Sequence, residues 1–289
     1  MGGRLVRVPM RKLSLEERRT TFKEVLLGYS EEEAIREASR CLQCKDTPCR
    51  TGCPIGIDIP GFIKLIAEGR FEEAGEKLKD ENVLPAVCGR VCPFERFCAS
   101  RCRLGKVGDP VNIRGLKRFV ADVVLESKPV VERETTGKSV AVVGSGPAGL
   151  TVAFELAKKG HHVVIYEALP EPGGVLFYGI PEFRLPKDVL RKEIAYIKAM
   201  GVDIKTGVVV GKDITLNSLL EEHDAVFVGT GAGIPKTLKV PGADLEGIYL
   251  ANDFLRRLNM ARMGYIPRTE APDVGEKTLV VGGGSTAMD

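Results

Sequence analysis

Along the first 126 residues, apolar positions recur at helical spacing in short stretches, and from Ser139 onward they bunch into short runs closed by glycines. Ser14 with Glu17, and Ser30 with Glu33, have the spacing of a capping box, in which side chains satisfy the free amides of a helix start. They predict two opening helices, the second over about Glu31–Arg40, delivering the chain to Cys41. Asp58-Ile59-Pro60 reads as a helix entry, followed by Phe62, Ile63, Leu65 and Ile66 on a helical face. Phe71–Lys79 reads as another helix, and Asp109-Pro110 leads into one carrying Ile113, Leu116, Phe119, Val120, Val123 and Val124. The polar stretch 127–138, with Pro129 and Gly137, reads as a linker.

After the linker the period changes. Val140–Val143 suits a strand buried on both faces and runs into a glycine turn, a helix over Ala148–Lys159 and a second strand, His162–Tyr166. Ile194–Met200 and Phe254–Met263 read as helices, Val208–Val210 and Ala225–Val228 as strands. Lys277–Val281 repeats the strand pattern and meets Gly282-Gly283-Gly284. The expected fold class is therefore α + α/β, a helical domain at 1–126 followed by a Rossmann-like, doubly wound unit at 139–276. Residues 277–289 open a second such unit, whose remainder would belong to a longer chain or to a partner.

Composition narrows the setting. A 44% hydrophobic and 28% charged chain with a formal charge of +3 gives no argument for nucleic acid or a membrane as partner. The first residues lack the apolar core of a secretory signal, and no apolar run reaches 18 residues. A cytoplasmic address follows, where stable disulfides are disfavoured.

All eight cysteines lie between 41 and 102 in two groups: Cys41, Cys44, Cys49 and Cys53, followed by Pro54, then Cys88, Cys92, Cys98 and Cys102. Disulfides fit the even count but not the compartment. Zinc is weakened by the second group, which has no Cys-x2-Cys pair. Iron–sulfur ligation fits best: the first group resembles the bacterial ferredoxin run, in which the cysteine before the proline serves the other cluster. On that logic Cys41, Cys44 and Cys49 share one cluster with a cysteine of the second group, and Cys53 joins the rest.

Gly144-Ser145-Gly146-Pro147-Ala148-Gly149 follows a predicted strand, opens a predicted helix, and has Glu167 at the end of the next strand. That is the setting a dinucleotide fingerprint requires, with glycines for the turn and the pyrophosphate, and an acid for the ribose hydroxyls. The second fingerprint at Gly282 points to a flavoprotein whose first unit holds FAD. Thr230 and Gly231, in a Gly-x-Gly turn, would approach the flavin nucleotide. The stretch from Gly173-Gly174 to Pro186 is expected to line it. No acid–base or nucleophile constellation stands out, so catalytic side chains stay unassigned.

These motifs, with Arg40–Cys44, Gly52-Cys53-Pro54, Gly89–Pro93, Gly108–Ile113 and Gly229–Gly233, resemble the glutamate synthase small (β) subunit family. That family includes the large subunit of NADH-dependent ferredoxin:NADP oxidoreductase, sulfide dehydrogenase and the N-terminal half of dihydropyrimidine dehydrogenase. The resemblance implies FAD and two [4Fe–4S] clusters, the first on Cys41, Cys44, Cys49 and Cys102, the second on Cys53, Cys92, Cys98 and a Glu or Gln. Here that last position is Lys117, a poor ligand when protonated, and Cys88 is left spare. It also implies electron flow from NAD(P)H through FAD and the clusters to a partner redox subunit. The competing expectation is a non-catalytic iron–sulfur docking subunit, with Arg101, Arg103, Lys106, Arg114, Lys117 and Arg118 forming a face for an acidic partner.

Overall fold

The computed structural model describes residues 5–129, 134–237 and 239–289, and divides into two compact units. The first takes residues up to Lys128 together with Glu182–Tyr196; the second takes Pro129–Pro181 and Ile197–Asp289. The 139–276 stretch is thus interrupted, because Glu182–Tyr196 clusters with the helical unit. Of the linker expected at 127–138, residues 130–133 lie outside the described residues.

The first unit opens with a short antiparallel pair, β1 (Arg11–Lys12) and β2 (Leu26–Gly28), around α1 (Leu15–Thr20). Both capping boxes form: Ser14 and Ser30 accept from the amides of Glu17 and Glu33, whose carboxylates answer the cap amides before α1 and α2 (Glu31–Ala38). After the one-turn α3 (Pro48–Thr51) comes α4 (Ile59–Ala67), started by Asp58, whose Oδ1 accepts from Gly61 N at 3.1 Å. Ile59, Phe62, Ile63 and Ile66 are buried there, each side chain contributing about 1.5–3 kcal/mol by leaving water. Helices α5 (Phe71–Glu81), α6 (Pro85–Val91) and α7 (Ile113–Val123) complete the core, with Phe71 edge-on to Phe119 at 5.0 Å. Asn112 caps α7 through Gly115 N at 3.1 Å and gives its amide to the Tyr29 hydroxyl at 2.7 Å.

The second unit carries a parallel sheet of β3 (Ser139–Val143), β4 (His162–Glu167), β5 (Val202–Thr206) and β6 (Ala225–Val228). Its order β5-β4-β3-β6, with every pair parallel, is that of a Rossmann half. Helix α8 (Pro147–Lys158) follows β3, α9 (Val175–Tyr178) follows β4, and α10 (Lys187–Ala199) precedes β5. Then come α11 (Leu216–Glu222), α12 (Ala251–Arg262) and α13 (Ser285–Met288).

Three sequence expectations shift. The strand expected at Val208–Val210 lies earlier, at β5, because Gly207 with φ +72° turns the chain away and leaves Val210 one bridge to Ile214. β6 forms, but with β3 as its described neighbour it is half-open, and Val228 is 58% exposed. Lys277–Val281 forms no strand: a parallel strand needs a partner on which to hydrogen-bond, and Leu279 and Val281 stand in solvent.

Candidate functional site

The helical unit brings the cysteines into two nests. Cys41, Cys44, Cys49 and Cys102 line one small cavity, whose other walls include Ile59, Pro60, Ile63, Leu104, Val111 and Ile113. The loop reaches round this cavity by placing two non-glycine residues, Gln43 (φ +48°) and Thr47 (φ +40°), in the left-handed region, a strained choice held by its surroundings. Gln43 Nε2 fastens it to Pro60 O at 3.1 Å. Behind Cys41, Arg40 and Glu37 form a buried ion pair at 2.6 Å, and Glu37 also accepts from Val8 N and Asn112 N, each at 2.7 Å. The pair is fully hydrogen-bonded, as buried charges must be, and it ties the first cysteine to the turn before α7.

Burial raises the Cys41 thiol, and the neighbouring Cys102 and Cys44 add to it; burial, then Cys41, pushes Cys49 up to about 12. Such thiols ionise when a cation compensates, so this dry sulfur-lined cavity suits a soft metal body that keeps them as thiolates. Among the described residues no three His, Cys, Asp or Glu side chains converge on a point that could hold one ion.

The second nest is built by two backbone approaches. A Cβ at Gly52 would stand 3.0 Å from Phe97 O, which sets Cys53 alongside Cys98. A Cβ at Gly89 would stand 2.6 Å from the Cα of Arg118, so α6 and α7 cross where Cys88 adjoins Lys117. Burial raises the thiols of Cys88, Cys92 and Cys98, the last to about 11, while the Lys117 ammonium pulls all three the other way. Cys53 acts on the same three.

The basic docking face does not form as expected. Lys117 and Arg118 are buried, and Arg118 is held by Glu24 at 3.0 Å, by Asp122 and by Leu26 O. Arg103 pairs with Asp46, and Arg114 lies over the Phe94 ring. A charge pattern read along the chain does not say which cations α7 turns inward.

In the second unit the glycine loop takes the shape its residues predict. Gly144 has φ +95°, and a Cβ on Gly149 would sit 1.9 Å from Gly144 O, so strand and helix pack too closely for any side chain. Around Gly146, by contrast, nothing lies within 4 Å of an added Cβ, leaving the loop open where a pyrophosphate would approach the start of α8. Pro147 and Ala148 form that first turn, exposed. Thr230 and Gly229 lie against Gly144, Gly231 turns with φ +73°, and a Cβ on Gly174 would stand 2.9 Å from Gly146 Cα. The three loops carrying Gly144–Gly149, Gly174 and Thr230-Gly231 therefore converge.

Glu167, at the end of β4, is buried and already occupied. Its Oε2 accepts from Ser145 N at 2.9 Å and from the Ser145 hydroxyl, and its Oε1 from Leu169 N at 2.8 Å. A carboxylate offers about four lone-pair positions, so a ribose hydroxyl would join these donors. Sequence reasoning did not find the Ser145–Glu167 link, nor Asn259, whose Nδ2 donates to Tyr178 O at 2.7 Å and braces the segment after Gly174. It also missed Glu193, a buried carboxylate accepting from Ala86 N and Val87 N at 2.7 and 3.1 Å at the start of α6.

Comparison with known proteins gives this geometry a family. Residues 18–129 match the family described as dihydropyrimidine dehydrogenase domain II, 4Fe-4S cluster, and residues 138–289 match pyridine nucleotide-disulphide oxidoreductase. The chain is 38% identical over 291 residues to the glutamate synthase [NADPH] small chain of Escherichia coli, covering 99% of this chain and 62% of that protein. It is 42% identical over 259 residues to the NAD-dependent dihydropyrimidine dehydrogenase subunit PreT of Escherichia coli O157:H7, covering 89% and 60%. It is also 42% identical over 279 residues to the NADPH-Fe(3+) oxidoreductase subunit beta of Geobacter sulfurreducens, covering 93% and 40%. The chain thus spans between 40% and 62% of the length of these relatives. With the second match taking in more than half of its residues, the chain belongs to the pyridine nucleotide-disulphide oxidoreductase family, preceded by a 4Fe-4S domain of the dihydropyrimidine dehydrogenase type.

Proposed function

We propose that this chain is the electron-transfer part of a small-subunit-type oxidoreductase, taking electrons from NAD(P)H to FAD and on through two [4Fe–4S] clusters to a partner redox subunit. The observation that carries the reading is the pairing, in one polypeptide, of buried four-cysteine nests with a glycine loop open at Gly146. The names of the relatives, glutamate synthase small chains among them, support a subunit that works with another. When bound, a flavin accepts a hydride's two electrons and clusters accept electrons singly, which is why such proteins combine them.

The chain's own residues would do the following. Cys41, Cys44, Cys49 and Cys102 would hold the first cluster, and the apolar wall of Ile59, Ile63 and Val111 would keep water from it. Cys53, Cys92 and Cys98 would serve the second. Gly144–Gly149 would receive the pyrophosphate of FAD on free amides, Glu167 its ribose, and Gly174, Thr230 and Gly231 would approach its remainder. No acid–base residue is required, because the protein's part is to bind, orient and exclude solvent.

The test is anaerobic reduction of the FAD-loaded chain followed by electron paramagnetic resonance. Reduced-cluster signals that grow as the flavin is bleached are expected. A flavin that reduces while the cysteine unit stays silent would sink the proposal. Iron and sulfide bound without flavin would replace it with a docking subunit.

A further inference from the structure

The second nest poses a problem that the first does not. It holds four thiols, Cys53, Cys88, Cys92 and Cys98, and one ammonium, Lys117, at 5% exposure. Among the described residues Lys117 has neither a hydrogen bond nor an ion pair, and a largely buried ammonium without a counter-charge is unfavourable. Its surroundings ask for negative charge.

Cys88 is placed to provide part of it. On α6 it lies one turn before Cys92, the residue that closes the helix and whose amide donates to Cys88 O at 3.3 Å. The glycine that follows it, Gly89, brings it against the α7 backbone beside Lys117. Its thiol has one weak neighbour, Asn82 Oδ1 at 3.8 Å, and Asn82 Nδ2 is itself a buried donor with no acceptor. A buried donor left without an acceptor next to Cys88 and a cation beside it both fit an acceptor-rich, negatively charged body in the nest.

We propose that the second cluster is held by four thiolates, Cys53, Cys88, Cys92 and Cys98, and that Lys117 stands beside it as a compensating cation rather than as a ligand. A protonated amine has no lone pair for iron, whereas a [4Fe–4S] body bearing four thiolates is anionic and becomes more so on reduction. The lysine would therefore favour the reduced form and raise the potential. This inference rests on the reading of the second nest as an iron–sulfur site.

Iron counting and resonance spectra of the anaerobically reconstituted full chain test it. The parent protein should bind about eight irons, and Cys88→Ala about seven or fewer with a three-iron signal, the first cluster being unchanged. Lys117→Leu, which offers iron no donor atom, should keep about eight while its second cluster shifts to lower potential. Cys88→Ala combined with Lys117→Glu should regain the lost iron through the new carboxylate. A Cys88→Ala protein that keeps about eight irons, or a Lys117→Leu protein that loses one, overturns the assignment. A parent protein with about four irons would instead overturn the second cluster itself, which separates failure of the site from failure of its fourth ligand.

Discussion

Two glycines of one loop separate fold from ligand at the residue scale. Alanine at Gly149 must drive a methyl group into Gly144 O, so destabilisation of about 1–3 kcal/mol or more is expected, read as a lower denaturant midpoint. Alanine at Gly146 meets nothing in the protein, so its stability should be near that of the parent while FAD affinity falls, read by flavin titration. Glu193 makes a pH prediction. Burial outweighs the amides of Ala86 and Val87 and the charges of Lys79 and Arg90, and pushes its carboxyl from 4.5 up to about 8. The native state thus keeps a proton that the unfolded chain releases. The resulting stability is fully present below about pH 4.5 and lost as pH rises through about 8. Glu193→Gln, which cannot titrate, should flatten the fall in urea midpoint between about pH 5 and about pH 8; an unchanged slope would rule the residue out.

Elements are where local sequence was most and least informative. Both capping boxes, the helix entry at Asp58 and the strand–glycine–helix of β3 and α8 were legible, because each is settled by residues within one turn of one another. The crossing of α6 and α7 was not, since Gly89 is informative only once Arg118 is known to lie against it. The same holds for Lys117 and Arg118, which read as surface charges until α7 turns them inward. β5 escaped notice because Val202-Asp203-Ile204-Lys205-Thr206 alternates like a half-open strand, weaker than the continuous runs of β3 and β4. Gly89→Ala should force α6 away from α7, at about 1–3 kcal/mol, and disturb the second nest while leaving the first. Loss of one cluster's spectrum with the other intact is the expected readout; loss of neither would show that the crossing does not position Cys88 and Cys92.

Taken whole, the chain carries a helical cysteine unit and a Rossmann half, and the two family matches meet between residues 129 and 138, with Glu182–Tyr196 of the helical unit inside the second match. Among the described residues no helix is long and apolar enough to cross a membrane. The spacing of the cysteines placed Cys41, Cys44 and Cys49 together, the resemblance added Cys102, and these four line one cavity. What the nests exclude and what stands beside them depended on tertiary burial. The central claim is that this chain carries iron–sulfur clusters and a flavin together, and it is tested most directly by assaying iron, zinc, acid-labile sulfide and FAD in the anaerobically purified full chain. About eight irons with matching sulfide and about one FAD per chain is the predicted result. Zinc bound to the cysteines, with neither iron nor sulfide, would contradict it.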